Sequence, residues 1–192
     1  KVKGGIKIMV WIILAVVAII VIIAIVLYNG LVQARIKVDN AWSQIDVQLQ
    51  RRFDLIPNFV ETVKGYMAHE SETFEKIAEL RTSWANAESV SEKASLDGEL
   101  SNALKTIMAV SESYPDLKAN QNFSELSEEL RNTENKISFA RQFYNDSVTI
   151  YNTKLEVFPS NLIAKMFNFK ARDLFEAESA EARKNVKVDF SK

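Results

Sequence analysis

The only histidine stands beside a glutamate, His69-Glu70, in a stretch that also holds Asp54, Glu61, Glu72, Glu75 and Glu79. Such groups bind metals or exchange protons, and their spacing decides which. A zinc-protease helix needs H-E-x-x-H, because two histidines one turn apart grip the ion. Position 73 is threonine, and no second histidine exists. A di-iron bundle needs Glu-x-x-His on two helices. Position 66 is tyrosine, so not one copy is present. Glu72, Glu75 and Glu79 share a helix face off the apolar stripe, which predicts a solvated surface. Glu70 falls on the stripe itself, where a carboxylate must be paired or at the bundle's edge. Arg51, Arg52 and Arg81 are its candidate partners. Glu70 and Asp46 are the acids expected to have a raised pKa.

The other chemistries lack their signatures. No serine sits in G-x-S-x-G or S-x-x-K, no glycine-rich phosphate loop exists, and Asp116 to Gln121 fits no EF-hand spacing. The absence of cysteine excludes disulfides and thiol catalysis. Lys and Arg number 24 against 25 Asp and Glu, interspersed, so nucleic acid is not an expected partner. The residues therefore predict no catalytic group, no metal and no cofactor, and a protein that is not an enzyme.

The elements themselves point to a membrane. From Ile8 to Leu27 the chain has 20 consecutive apolar residues, 15 of them Ile, Leu or Val. As a helix this is about 30 Å, the thickness of a bilayer's hydrocarbon core. Trp11 and Tyr28 near its ends are expected anchors in the headgroup region. The run is longer than a signal-peptide core, and no small-x-small cleavage site follows it. Lys1, Lys3 and Lys7 precede the run and Arg35 and Lys37 follow it, which orients the later residues outside the cytoplasm.

Beyond the span, apolar residues recur at helical spacing. Leu31, Ala34, Val38, Trp42, Ile45 and Leu49 form one stripe, predicting a helix continuous from the bilayer to about Arg52, with Gly30 as a possible bend. Ile56, Val60, Val63, Met67, Phe74, Ile77 and Trp84 form a second stripe, over about 57–87. Between them, Asp54, Leu55, Ile56, Pro57 and Asn58 read as a helix-to-helix joint. Asp54 would cap, Pro57 would sit in the first turn, Leu55 and Ile56 would plug the apex, and Asn58 would satisfy freed backbone groups. Ser89 and Glu92 form an S-x-x-E capping box for a third helix, with Leu100, Leu104, Ile107 and Ser111 inward and Pro115 as its stop. Asn122 and Glu125 repeat the cap logic for a fourth, whose stripe runs from Phe123 to Phe158 before Pro159. A short helix is expected over 160–167. The alternating Val186, Val188 and Phe190 suit an extended segment. The predicted fold is all-α: a transmembrane helix continuing into an antiparallel up-down bundle. The segments are 1–28, flank and span; 29–167, bundle; and 168–192, charged tail.

Residues 28–70, "YNGLVQARIKVDNAWSQIDVQLQRRFDLIPNFVETVKGYMAHE", together with "FPSNLIAKMFNF" and "KVDF" near the C-terminus, resemble the LemA family over most of the chain. The family usually has Leu where Phe59 stands, and often Pro where Val186 stands. The resemblance implies a single-pass bacterial membrane protein with an antiparallel helical-bundle domain and no established enzymatic activity. It also implies that one branch of the family is tied to forming internal membranes, while others occur beside membrane proteases.

Two functions follow as expectations. The first is a membrane-anchored scaffold that self-associates on the lipid bilayer of a bacterial cell and organises or shapes it. The second is an adaptor for another membrane protein, such as a protease or signalling receptor. Phe158, Phe167, Phe169, Phe175 and Phe190 cluster late in the chain and are the candidate interaction residues, either closing the bundle's end or binding a neighbour.

Overall fold

The computed structural model describes residues 2–67 and 71–176, with side chains from Met9 onward. Every regular element among the described residues is helical: α1 Val2–Lys64, α2 Ser71–Asn86, α3 Val90–Ser111, α4 Pro115–Lys118, α5 Gln121–Glu156 and α6 Ser160–Met166. The chain divides into two compact units: Lys1–Ala41 with Asp146–Arg172, and Trp42–Asn145 with Asp173–Lys192, taken over the described residues. Helices α1 and α5 contribute to both.

The second unit is an up-down bundle. Asp46 and Arg52 of α1 meet Lys93 and Asp97 of α3 in the same chain order, so those two helices run parallel. Phe53 stacks on Trp84, and Lys64 lies over Phe74, so α2 runs back against α1. Trp42 meets Tyr144 and Phe59 meets Phe123, so α5 is also antiparallel to α1. The core comes from residues three and four apart: Ile45, Leu49, Phe53, Ile56, Phe59 and Val63 of α1 are buried, as are Phe74, Ile77, Leu80 and Trp84 of α2. Leu100, Leu104 and Ile107 of α3, with Leu130 and Ile137 of α5, complete it.

The helix joint is not where the sequence reading places it. Asp54, Leu55, Ile56, Pro57 and Asn58 lie inside α1, which continues seven residues past Pro57 to Lys64. An internal proline costs a helix about 3 kcal/mol through its missing N–H and its ring. Here the buried stripe Phe53, Ile56, Phe59, Val63 continues across it, and each fully buried side chain contributes about 1.5–3 kcal/mol. Several such residues outweigh one proline. Asp54 caps nothing; its carboxylate accepts from Gln50 Nε2 at 2.8 Å. Ile56 is core rather than an apex plug, and the Asn58 carbonyl accepts from Thr62 Oγ1 within the helix. The chain turns instead after Lys64, where the Tyr66 and Met67 amides both donate to the Val63 carbonyl at 3.0 Å. His69 and Glu70 lie outside the described residues.

The local signals around α3 hold, whereas the cap of α5 shifts by two residues. Ser89 Oγ accepts from the Glu92 amide, and the Glu92 carboxylate accepts from the Ser89 amide, so the capping box forms. Leu100, Leu104, Ile107 and Ser111 are all buried. α5 spans 36 residues and begins at Gln121. Its cap is Asn120, whose Oδ1 accepts from the Phe123 amide, rather than Asn122. Pro115 opens the short α4.

In the first unit, Leu31 of α1 packs with Ile163 and Ala164 of α6, joined by Ala24, Leu27, Leu155 and Phe169. Asn168 closes α6 in the left-handed region, φ 54°, a conformation that asparagine tolerates better than most residues. The turn brings the Phe169 amide onto the Ala164 carbonyl at 2.9 Å, and the Phe169 ring into the cluster.

Candidate functional site

Most of the span is exposed, and only Ala24 and Leu27 near its end are partly covered. In the most apolar stretch of α1 no residue is buried, and this is the one helix among the described residues long and apolar enough to cross a membrane. Trp11 is exposed. Tyr28 is not an isolated headgroup anchor. Its ring meets Phe167 at 4.7 Å and Phe169 at 5.8 Å between centroids.

The described late phenylalanines differ in burial. Phe175 is buried. Its amide and carbonyl are both held by the side chain of Asn145, at 2.8 Å and 3.2 Å, and its ring lies 6.2 Å from Trp42. Phe169 packs into the Leu31 cluster, under the Arg35 guanidinium at 5.3 Å. These two close their units. Phe158 and Phe167 instead point outward. Phe190 lies outside the described residues, as do Val186 and Val188.

The described part of the tail is strapped along α5 by a repeated device. Within the first unit, the Asn152 side chain pairs with both the amide and the carbonyl of Arg172, and Tyr151 Oη donates to the Lys170 carbonyl at 2.9 Å. Within the second unit, Asn145 does the same for Phe175, and Tyr144 Oη donates to the Asp173 carbonyl at 2.8 Å. An asparagine amide offers one donor and one acceptor in the geometry of a peptide group, so it pairs with extended chain as a neighbouring strand would. The Tyr-Asn pairs, seven residues apart on one helix face, are visible in the sequence, but their partner segment is not.

The second unit also holds a polar cluster that the sequence reading missed. Arg52 Nη1 lies 2.7 Å from Asp97 Oδ1 and 2.8 Å from Glu134 Oε2. The Arg52 and Asp97 side chains are 3 % and 5 % exposed, whereas Glu134 is 41 % exposed. Burial holds the Asp97 carboxyl above the usual aspartate range, opposed by the Arg52 charge. Arg52 Nε is buried with no hydrogen-bond partner, so the cluster is incompletely satisfied. The signal was available. Asp97 falls three residues after Ala94 and three before Leu100, on the buried stripe, and Arg52 falls three after Leu49. Asp46 is instead a partner of Lys93, Nζ to Oδ1 2.6 Å. That ammonium also lies 5.6 Å from the Trp42 ring and 5.1 Å from the Trp84 ring, a cation–π arrangement that fastens the start of α3 to α1. Among the described residues, no group of three His, Cys, Asp or Glu side chains is placed to hold a metal.

Among the described residues, one face of the bundle carries a groove. Between α1 and α5 of the second unit lies a groove of about 650 Å³, lined by Val47, Gln48, Lys136, Phe139, Ala140 and Phe143 among others. Phe139 is 75 % exposed. Gln48 Oε1 is shut off from solvent without a hydrogen-bond partner.

A sequence model described as the LemA family matches residues 41–190. Protein LemA of Metamycoplasma hominis is 27 % identical over 164 residues, covering 85 % of this chain and 74 % of that protein. Magnetosome protein MamQ 2 of Paramagnetospirillum magneticum is 26 % identical over 164 residues, covering 72 % of this chain. The chain spans only 60 % of that relative's length. Magnetosome protein MamQ of Magnetospirillum gryphiswaldense is 24 % identical over 179 residues, covering 80 % of this chain and 66 % of that protein.

Proposed function

The chain belongs to the LemA family, and on that premise we propose that it is a non-enzymatic scaffold, anchored in a bacterial membrane through residues 8–27, whose helical bundle self-associates and thereby organises or shapes the bilayer. The observation that carries self-association is the groove with Val47 and Phe139 exposed on its two sides. Water-exposed aromatic side chains around a groove mark an interaction surface. Two such faces, each made by an antiparallel helix pair, can meet about a two-fold axis to give a four-helix contact that is the same on both copies. A shared membrane would raise the effective concentration of one copy for another, so a modest interface would suffice. Names among the relatives agree with a membrane role, since two are magnetosome proteins. The three lysines before the span, against two basic residues soon after it, support a bundle outside the cytoplasm.

The test is sizing by light scattering of the full chain in mild detergent, beside the double variant Val47→Asp/Phe139→Asp. The scaffold predicts a dimer or larger particle that the variant converts to monomer, with helicity and melting temperature retained. A wild-type chain that stays monomeric at every concentration refutes it. Crosslinking in the native membrane then separates the two partners: self-products support the scaffold, and a single foreign product supports an adaptor for another membrane protein.

A further inference from the structure

The anchor helix leaves one apolar surface of the first unit unexplained. Phe158, Leu162 and Met166 recur every four residues, and they are 78 %, 57 % and 68 % exposed. Phe167 follows at 54 %. The opposite face of α6 is already used, because Ser160, Ile163 and Ala164 are buried. This short helix therefore presents apolar side chains on both faces, one to the protein and one to its surroundings.

Its position identifies the surroundings. Ile163 and Ala164 pack on Leu31, with Ala24 and Leu27 of the span's last turns against the same cluster. The Phe167 ring lies 4.7 Å from the ring of Tyr28, the residue just after the apolar run. α6 is thus held within the same compact unit at the level where the span leaves the hydrocarbon. The local charge agrees with a headgroup layer. Residues 28–41 and 146–172 carry six basic side chains against three acidic ones, and Lys165 is exposed on α6 between Leu162 and Met166. Anionic headgroups attract such a cationic excess, and long lysine side chains reach up to them while apolar neighbours dip below.

We propose that α6 and its flanking Phe158 and Phe167 form a second lipid contact, lying in the bilayer interface with Leu162 and Met166 inserted. The occupant of this face is the membrane surface that the chain's own span crosses. The inference rests on residues 8–27 lying in the bilayer and adds that the chain touches lipid at two places far apart in sequence. It follows that the span cannot turn about its own axis without lifting α6 out of the interface. A single-pass anchor with no second contact has no such restraint.

The test uses the absence of native cysteine. Full-length chain carrying one nitroxide at Leu162→Cys, Met166→Cys, Ile19→Cys or Glu79→Cys is placed in nanodiscs containing anionic lipid. Collision with oxygen and with a water-soluble nickel complex gives each label's depth. The expected result is Ile19 deep, Glu79 aqueous, and positions 162 and 166 between them, at roughly 5–10 Å into the headgroup–acyl boundary. Water exposure at 162 and 166 equal to that at 79, with 19 in lipid, overturns the proposal and leaves the anchor intact. An aqueous label at 19 overturns both. In a second arm the label sits at Phe158→Cys, and Leu162→Glu/Met166→Glu is added. This change is expected to move the label into water with helicity unchanged, and a label that does not move also refutes interfacial insertion.

Discussion

Replacing Arg52 with methionine tests the polar core most directly. The substitution keeps a long side chain in the buried site but removes the charge held 2.7 Å from Asp97. Asp97 is then a buried carboxylate without its cation. Breaking a buried pair from one side costs about 3–5 kcal/mol. Glu134 adds little, because at 41 % exposure it regains water. For a protein of this size about 1 kcal/mol moves the melting temperature by about 2–4 °C, so the drop should be roughly 6–20 °C. The double variant Arg52→Met/Asp97→Leu removes both charges and should recover most of the loss. Circular dichroism melts in mild detergent measure all three chains.

The pH dependence supplies a second readout with a fixed sign. Burial raises the Asp97 pKa, and the charged groups acting on it are Arg52, Glu134 and Arg141. A carboxyl whose folded pKa lies above its unfolded one favours the folded state most below the unfolded value. That contribution is lost as pH rises through the folded value. Without Arg52 the folded value rises further. The deficit of Arg52→Met should therefore be smallest in acid and grow as pH climbs through and above the aspartate range. A deficit under about 1 kcal/mol, or one that does not change with pH, would contradict a buried, charge-dependent pair. No recovery in the double variant would show that the arginine acts by packing alone.

Three smaller perturbations follow. Pro57→Ala should restore a helix hydrogen bond inside α1 and raise stability by about 2 kcal/mol, the roughly 3 kcal/mol helix penalty less the unfolded-state advantage of proline; a lower melting temperature would mean that the proline shape is required there. Ser89→Ala should cost about 1 kcal/mol by opening the α3 cap, read by the same melts. The hydrogen bond to the Ser89 amide lowers the Glu92 pKa, so its contribution to the cap is present above the ordinary glutamate value and lost as pH falls through the lowered one. Gly30→Ala should stabilise α1 by about 0.5–1 kcal/mol, because an added Cβ meets nothing within 4 Å; a loss of stability would indicate that the helix bends at this residue.

How far the sequence reached depended on the range of the interaction involved. Apolar spacing marks the span, α3 and α5, because one buried face per helix leaves a stripe that needs no partner to be seen. It runs the end of α1 and the whole of α2 together as one helix over 57–87, where α1 ends at Lys64 and α2 begins at Ser71. The Ser89 box was legible because cap and acceptor are three residues apart. The joint was misplaced because Asp54 and Pro57 are local stop signals, and the energy that overrides them comes from α2, α3 and α5. The stripe carries the contrary signal: Phe53, Ile56, Phe59 and Val63 keep helical register across Pro57, which a stripe drawn through Val60 does not show. The Arg52–Asp97 pair joins residues 45 apart, and a charged residue on an apolar stripe announces only that some partner exists. The Tyr-Asn pairs of α5 were equally silent, since their partners are backbone atoms of the tail.

The faces that remain open are the harder inference, because an exposed apolar residue means little alone. What distinguishes the two faces here is what each is continuous with. Leu162 and Met166 stand beside a helix with no buried residue in its most apolar stretch, and the same cluster that buries Ile163 reaches back to Ala24 and Leu27. Lipid is the solvent of that neighbourhood, so no second protein is required to cover it. Phe139 and Val47 belong to the unit that does not contain the apolar run. Their groove is edged by Ser43, Gln44, Gln48 and Lys136, an apolar floor with a polar rim, which is the anatomy of a protein–protein contact. The same observation of exposed phenylalanine thus leads to a membrane in one unit and to a second copy in the other. The sizing and depth measurements fail independently of each other.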